Sequence, residues 1–227
     1  MNRWVKCLFG LMAGTIGWAP LGAFPAESSS APKAQKGWES LFNGKDLTGW
    51  TYKPDSWRVD DGVLTCGETA GDIWTEEQFG NFAIDLEFKV PQKGNSGVFV
   101  RTADPKSPVQ TGIEIQVFDS YGKPEADKHD CGAVYDCVAP TKNMAKQAGE
   151  WNRMVVTCKD NTIQVELNGE PIIDMDVDKW TEPHMNPDGT KNKYNAAVKD
   201  FARKGYVGLQ YHGKPVWYRN IKIKRMD

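Results

Sequence analysis

The stretch FAIDLEFKV (residues 82–90) decides the fold, because hydrophobic residues recur at every second position along it. This period of two places five hydrophobic side chains on one face of a strand and Asp85, Glu87 and Lys89 on the other. Helical periodicity is nearly absent from the chain, so the sequence predicts an all-β protein. The same alternation recurs in six further segments: GVFVRT (97–102), GIEIQVF (112–118), RMVVTCK (153–159), TIQVELNG (162–169), YVGLQYHG (206–213) and VWYRNIKIK (216–224).

Turn-forming residues separate the alternating segments and predict hairpins. Asn168-Gly169 lies between two such runs, and both positions of a two-residue hairpin turn favour positive φ. Asp61-Gly62 predicts a second hairpin, and residues 159–161 predict a third. Many short antiparallel strands joined in this way favour a sandwich of two antiparallel sheets or a jelly roll, with a barrel as the lesser alternative.

Residues 1–26 have the features of a secretory signal peptide, namely a basic start, a mostly apolar run and small residues before cleavage after Ala23 or Ala26. The apolar run is too short and too rich in glycine to favour a membrane span, although a retained anchor is the alternative. We therefore expect a secreted or periplasmic protein without stable membrane insertion after cleavage. Its mature form has a flexible N-terminus at 27–36 and a single domain at 37–227.

The charge distribution argues against nucleic acid as a partner. The formal net charge is −2, and no basic run occurs beyond the terminal IKIKR. Phosphate binding needs clustered Lys and Arg, which this chain lacks. The terminal pattern is better explained as a strand with solvated lysines.

The cysteines allow two interpretations. Once Cys7 leaves with the signal, four cysteines remain, an even number that is compatible with disulfides in an exported chain. Cys131 and Cys137 are near enough in sequence for a bond that closes a small loop. Cys158 is in phase with hydrophobic neighbours, which favours a buried thiol. No CxxC pair occurs, so we expect no zinc knuckle.

The segment GIEIQVFDSYG (112–122) has a polar face that suggests a site. Its hydrophobic residues fill the core, while Glu114 and Gln116 project together from the other face. Their carboxylate and amide are suited to sugar hydroxyls. Asp119, five places after Glu114, falls on the core face of a regular strand, which is costly for a carboxylate. A one-residue bulge restores Asp119 to the polar face; alternatively, the strand has ended.

Three residues on other predicted strands alternate in phase with the polar positions, so their side chains are expected on the same face as those of Glu114 and Gln116. They are Arg101 in GNSGVFVRT and Gln210 and His212 in YVGLQYHG. If these strands are neighbours, the three side chains form one concave surface with Glu114 and Gln116. The alternatives are a merely solvated face, an ion pair for Arg101 and a turn contact for His212.

Two further groups of residues are candidates for ligand contacts. Trp151 begins a predicted strand and is either an anchor in the core or a plate on which a sugar ring stacks. A cluster of acids with one histidine is a lesser candidate for a divalent cation such as calcium, although its spacing lacks a loop signature. The cluster consists of Asp127, His129, Asp130 and Asp136.

A long polar run at 181–205 is too long for a hairpin loop. Loops of this length often cover functional sites. A short helix is expected within it, around Ala196 to Phe201.

Several short motifs follow one another in order along nearly the whole mature chain. Together they resemble a bacterial family once called domain of unknown function 1080 and now described as 3-keto-disaccharide hydrolase, or 3-keto-glucoside lyase and hydratase. The resemblance extends from Gly37 to Lys224. The motifs are GWESLFNGKDLTGW, WRVDDGVL (57–64), GNSGVFVR, GIEIQVFD, GAVYD (132–136), KNMAKQAGEWN (142–152), LNG, GYVGLQYHG and VWYRNIKIK.

This resemblance implies a concanavalin A-like jelly roll that acts on sugars oxidised to a ketone at C3. The central strand also resembles the E-x-D-x-x-E strand of laminarinase-type glucanases. Here it reads E-x-Q-x-x-D, with Gln116 and Asp119 in place of two acids. Ordinary retaining hydrolysis needs two carboxyl groups about 5–5.5 Å apart, so the departure disfavours that reaction.

A ketone at C3 acidifies the hydrogen at C2, so one carboxylate suffices as a base for elimination, and water then adds at C1. No cofactor is firmly implied, and a divalent cation such as calcium is the one that the sequence allows. The expected catalytic residues are Glu114 as base and His212 or Asp119 as proton donor; the expected substrate-binding residues are Arg101, Gln116, Gln210, Asn95 and Trp151.

The leading hypothesis is therefore a secreted carbohydrate-active enzyme that cleaves 3-keto glycosides. A non-catalytic, lectin-like carbohydrate-binding module on the same fold is the alternative from another class. A hydrolase of unmodified glycans is the third, and it needs a second carboxylate across the cleft from Glu114.

Overall fold

The computed structural model describes residues 36–67 and 70–226, which form thirteen strands. No helix among these residues has the length and hydrophobicity needed to cross a membrane. The predicted signal peptide at 1–26 lies outside the described residues, as does nearly all of the segment 27–36. The strands are β1 (Glu39–Ser40), β2 (Trp50–Thr51), β3 (Trp57–Asp60), β4 (Val63–Cys66), β5 (Ile73–Phe79), β6 (Phe82–Lys89), β7 (Asn95–Thr102), β8 (Ile113–Phe118), β9 (Asn152–Lys159), β10 (Thr162–Leu167), β11 (Glu170–Asp176), β12 (Gly205–Leu209) and β13 (Trp217–Arg225).

The strands form two antiparallel sheets. The larger sheet has eight strands in the order β11-β10-β9-β6-β13-β4-β3, with β1 paired to β13. The smaller sheet has five strands in the order β2-β5-β12-β7-β8. Within the described residues, helical structure is limited to α1 (Pro108–Thr111) and to 3-10 turns at Val177–Lys179 and Val198–Asp200. The predicted all-β sandwich of two antiparallel sheets is therefore confirmed.

Strand alternation builds the core between the sheets. On β6, Ile84, Leu86 and Phe88 are fully buried, and on β8 Ile115 and Val117 are fully buried. All five belong to one hydrophobic cluster. Burying side chains of this size stabilises a fold by about 1.5–3 kcal/mol each, so the alternation fixes which face of each strand points inward.

The predicted hairpin turns are confirmed by their backbone angles. Asn168 and Gly169 have φ of 54° and 89°, and Asp61 and Gly62 have φ of 47° and 77°. In the third turn Asp160 has φ of 49°.

A bulge in β7 changes the direction of one predicted site residue. Thr102 pairs with Tyr206, and Phe99 pairs with Gly208, so β7 has one residue more than β12 between these pairs. Arg101 lies in the bulge with φ of 52°. The bulge breaks the alternation on which the prediction for Arg101 depended.

The cysteines do not form the disulfide that was considered for Cys131 and Cys137. All four cysteines among the described residues are free and buried. Two hydrogen-bonded turns lie along the chain around these residues: Ala133 N donates to Asp130 O, and Val138 N donates to Val134 O. Both thiols lie in the hydrophobic cluster, where they pack as small apolar groups.

The thiols of Cys131 and Cys137 are expected to resist alkylation in the folded protein. Burial raises the pKa of each to about 12, so both stay protonated at pH 8, and the thiolate is the reactive form. Iodoacetamide should label both after unfolding without a reductant, as peptide mass spectrometry will report. Labelling that also requires reduction would instead establish a disulfide.

Candidate active site

A cleft of about 240 Å³ opens on the outer face of the five-stranded sheet. Five sequence-predicted residues line it together, which brings β7, β8 and the segment after β12 to one place. Their convergence is a finding of the structure, whereas their roles stay predictions. The cleft is lined by Asn95, Glu114, Gln116, Gln210 and His212, and also by Val109, Tyr135 and Lys193.

Glycine on β7 makes room for the carboxylate of Glu114. Gly97 pairs with Gln116 on β8, so it lies beside the polar face of that strand. A Cβ atom at position 97 would lie 2.8 Å from Glu114 Oε1. Because real Cβ atoms do not approach an oxygen so closely, the carboxylate can lie against β7 only while residue 97 has no side chain.

The carboxylate of Glu114 is almost entirely buried and is paired with a lysine. Its side chain is 5% exposed, and Lys193 Nζ donates to its Oε2 at 2.8 Å. Lys193 Nζ also lies 4.2 Å from the ring centroid of Tyr135. A buried, unpaired carboxylate is strongly unfavourable, so the ammonium group compensates the charge of Glu114.

The loop at 181–205 presents Lys193 to the cleft. Gln110 on α1 holds the backbone on either side of Tyr194: its Nε2 donates to Lys193 O at 3.0 Å and its Oε1 accepts from Asn195 N at 2.8 Å. Tyr194 is 1% exposed and packs edge-on against Phe201 at 5.1 Å. The helix expected around 196–201 is a 3-10 turn at Val198–Asp200.

Asn186 is the centre of the hydrogen bonds that hold this loop. Its Oδ1 accepts from Trp180 Nε1 at 2.8 Å and from Asn192 Nδ2 at 3.0 Å. Its Nδ2 donates to Asp136 O at 3.0 Å. Asn186 is 3% exposed, so these buried polar groups depend on one another.

Tyr135 reaches the cleft because its segment pairs with the free edge of β8. Tyr135 N donates to Glu114 O at 2.9 Å, and Val134 forms a bridge with Ile115. Burial raises the pKa of the Tyr135 phenol, and the negative charge of Glu114 raises it further. The hydroxyl therefore stays protonated at neutral pH and can donate a hydrogen bond.

Two buried amide oxygens in the cleft have no partner among the described residues, namely Oε1 of Gln116 and Oε1 of Gln210. Gln116 is oriented by its Nε2, which donates to Asn95 Oδ1 and to His129 O, both at 3.3 Å. A buried acceptor without a donor costs about 1–3 kcal/mol. A ligand rich in hydroxyl groups would satisfy both oxygens.

The segment after β12 carries Gln210 and His212 to the cleft, although β12 ends earlier than the sequence predicted. Gln210 N donates to the carbonyl oxygen of Gly97 at 2.9 Å. Tyr211 N donates to the carboxylate of Asp72 at 2.9 Å. These two bonds fix the backbone that carries Gln210 and His212. The side chain of His212 is exposed and lies at the rim of the cleft.

Arg101 does not face the cleft, contrary to prediction. It is 2% exposed, and its guanidinium donates to Gly80 O, Asp160 O and Asn81 Oδ1 at 2.8–3.1 Å. The bulge in β7 turns the side chain toward these two hairpin turns. Arg101 therefore joins the turns of β5-β6 and β9-β10 and does not line the cleft.

Asp119 and Trp151 also lie away from the cleft. The strand ends before Asp119, as the alternative interpretation held, and the Asp119 carboxylate accepts from Lys93 N at 2.8 Å. Trp151 precedes β9 in the other sheet, where Arg219 and Lys89 lie 4.1 and 5.0 Å from its ring centroid. It is neither a core anchor nor a plate in the cleft.

Lysines neutralise the acidic cluster that was a candidate for calcium. Lys123 Nζ contacts both Asp127 and Asp130 at 2.6 Å, and Lys128 Nζ lies 3.4 Å from Asp136. Among the residues in 36–67 and 70–226, no three His, Cys, Asp or Glu side chains are grouped to hold a metal ion. The cluster is therefore an ion-pair network.

The sequence around this cleft is characteristic of one family. Residues 37–224 match the family described as the 3-keto-alpha-glucoside-1,2-lyase-like domain. The chain belongs to this family. The matched range includes every residue that lines the cleft.

Relatives and solved structures agree with this membership. A 3-keto-disaccharide hydrolase from Bacteroides thetaiotaomicron is 26% identical over 245 residues, which cover 91% of this chain and 84% of that protein. A crystal structure of a candidate glycosyl hydrolase from Parabacteroides distasonis has a TM-score of 0.77 and 37% identity, covering 83% of this chain and 99% of the other. An endo-beta-1,3(4)-glucanase of family GH16 has a TM-score of 0.54 and 11% identity, covering 85% and 93%. This last likeness shows the fold alone and confirms the predicted jelly roll.

Replacement of Asn186 by Ala should destabilise the protein by about 1–3 kcal/mol, because the buried indole N–H of Trp180 loses its acceptor. Urea denaturation at pH 7 will measure the free energy of unfolding. Asn195→Ala, an exposed change in the same loop, is the matched control and should shift it by less than about 0.5 kcal/mol. Equal stability of the two variants would show that the Asn186 network does not hold the loop.

Proposed function

We propose that this protein cleaves the glycosidic bond of sugars that carry a ketone at C3, by elimination across C1 and C2 followed by hydration. The observation that carries the proposal is the single acid in the cleft. Among the described residues that line it, Glu114 alone is an acid. The family membership and the name of the Bacteroides relative support the same substrate class.

A single carboxylate does not fit ordinary glycoside hydrolysis. Retaining enzymes hold two carboxyl groups about 5–5.5 Å apart, and inverting enzymes hold them about 6.5–9.5 Å apart. The third residue of the central motif is Gln116, and the Asp119 carboxylate is bound to a turn. A substrate that needs only one base removes the difficulty.

The elimination starts with proton transfer from C2 to the carboxylate of Glu114. The C2–H electron pair forms a C2=C3 bond, and the C3 carbonyl oxygen becomes an enolate. The enolate then collapses: the C3=O bond re-forms, a C1=C2 bond forms, and the bond from C1 to the glycosidic oxygen breaks. His212 at the rim acts as the general acid and gives a proton to the departing oxygen.

Hydration reverses the same chemistry with water as the nucleophile. Water adds to C1 and gives up a proton to His212, and the electrons return through C2 to the C3 oxygen. The protonated Glu114 then returns its proton to C2. The sum of the two steps is hydrolysis, and both side chains end in their starting forms.

The amide groups supply binding rather than proton transfer. The unpartnered Oε1 atoms of Gln116 and Gln210 accept hydrogen bonds from hydroxyl groups of the sugar, and Tyr135 donates one. The same acceptors would also suit a binding module without chemistry, which is the second candidate function.

We further propose that the protein acts outside the cytoplasm, as the features of residues 1–26 favour.

Replacement of Glu114 by Gln, which keeps the shape but removes the base, should lower kcat on a chemically prepared 3-keto disaccharide by about 10²–10⁴-fold. Product release followed by chromatography will measure it. Glu182→Gln, in the exposed part of the 181–205 loop, is the control and should match the unaltered protein.

Two results would contradict the proposal. Full turnover by the Glu114→Gln variant would remove this residue from the mechanism. An unaltered protein that binds glycans but releases no product from oxidised or unoxidised sugars would be a binding module.

A further inference from the structure

We propose that Lys193 is a catalytic residue: its ammonium group binds the C3 oxygen of the substrate, stabilises the enolate and so selects the ketone over an ordinary sugar. This inference rests on the proposed function and extends it to a residue that the sequence pattern did not reveal. Lys193 is the one Lys or Arg among the described residues that line the cleft.

The adjacency of Lys193 and Glu114 matches the adjacency of the reacting atoms. The acidic hydrogen is on C2, and the oxygen that becomes negative is on C3, the next carbon. A base and a cation that act on neighbouring atoms must themselves be side by side. Lys193 Nζ and Glu114 Oε2 are 2.8 Å apart, so one carboxylate oxygen can face C2 while the ammonium group faces the C3 oxygen.

Lys193 has hydrogen-bonding capacity left for a ligand. An ammonium group has three N–H donors, and the side chain of Lys193 makes one hydrogen bond among the described residues, to Glu114. The rings of Tyr135 and Tyr194 lie 4.2 and 5.7 Å from Nζ and stabilise the cation without accepting a conventional hydrogen bond.

Low exposure increases the effect of this charge. The side chains of Lys193 and Glu114 are 19% and 5% exposed. In such a partly dry site a fixed cation interacts more strongly with a developing oxyanion than it would in water. The backbone of Lys193 is held through Gln110, so the ammonium group is positioned before the substrate arrives.

The geometry fits an electrostatic role for Lys193 better than a covalent role. A lysine that attacks a ketone to form an imine must be neutral, because the nucleophile is the nitrogen lone pair. Lys193 Nζ instead donates a hydrogen bond to the Glu114 carboxylate and forms an ion pair with it. Transfer of its proton to Glu114 would also destroy the base on which elimination depends.

Selection of the ketone follows from the same arrangement. An unoxidised sugar develops no negative charge at O3, so the ammonium group gives its reaction no advantage. Elimination and hydration pass through equivalent enolates, with the negative charge on the C3 oxygen in both and with C1 carrying the glycosidic oxygen in the first and a hydroxyl group in the second. Loss of the ammonium group should therefore slow the two half-reactions to a similar extent.

The test compares Lys193→Met, Lys193→Arg and the control Lys191→Met, an exposed change two residues away in the same loop. The substrates are a 3-keto glucoside for elimination and 3-keto-2-hydroxy-glucal for hydration. We expect Lys193→Met to lower kcat about 10²–10³-fold in both half-reactions, the size typical of a lost oxyanion donor, with a smaller change in KM. The kcat of Lys193→Arg should be at least ten-fold higher than that of Lys193→Met. The kcat of Lys191→Met should equal that of the unaltered protein.

The outcomes separate this inference from the function on which it rests. If the unaltered protein turns over the 3-keto sugars and Lys193→Met keeps its kcat, the role of Lys193 is overturned and the function stands. If Lys193→Arg is as inactive as Lys193→Met, and borohydride traps a lysine adduct in the unaltered protein, the role is covalent and the proposal is wrong. No turnover by the unaltered protein would overturn the proposed function together with this inference. Thermal unfolding of each variant checks that a loss of activity is not a loss of fold. If Lys193→Met is unstable, Lys193→Arg still tests the role, because it keeps the positive charge.

Discussion

The burial of one carboxylate is the constraint on which the rest of the site depends. Glu114 lies on a strand whose alternate residues fill the core, so the backbone cannot move it toward water without moving Ile113 and Ile115. A charge held in this way must be compensated, since desolvation of a single ion costs several kcal/mol. Lys193 supplies the compensation from a loop that is 79 residues away in sequence.

This dependence explains why the long polar loop at 181–205 is fixed by buried hydrogen bonds. Asn186 and Gln110 satisfy its buried backbone and side-chain groups, and Tyr194 anchors it in the core. A mobile cover could exclude water, but it could not hold an ammonium group within hydrogen-bonding distance of a buried acid. The loop is therefore best understood as part of the site and not as a lid over it.

Sequence alternation predicted most of the fold and the half of the site that lies on strands. Glu114 and Gln116 follow directly from the period of two, because each strand residue has only two directions available. Arg101 was misplaced because a bulge shifts the parity, and a bulge has no reliable sequence signal when its residue is not glycine. Lys193 was missed because a loop has no periodicity from which its direction can be read. Trp151 was misassigned because alternation gives the face of a strand but not which sheet the strand joins.

Under the proposed function, the site and the substrate divide the chemistry between them. A glucanase of that fold type needs a second carboxylate because its substrate has no acidic C–H bond. Here an amide, Gln116, occupies the middle position of the motif, and in the proposed reaction the activating group is a ketone that an earlier oxidation must place on the sugar. A class of reaction that oxidises the C3 hydroxyl must therefore precede this step.

The most direct test of this account is the fate of the hydrogen at C2 when a 3-keto disaccharide is cleaved in D₂O. Elimination and hydration remove that hydrogen and return one from Glu114 after exchange with solvent, so NMR of the released 3-keto sugar should show deuterium at C2 above the level reached without protein. Product that forms at the full rate and keeps its original hydrogen at C2 would mean direct displacement at C1, and the account would be wrong.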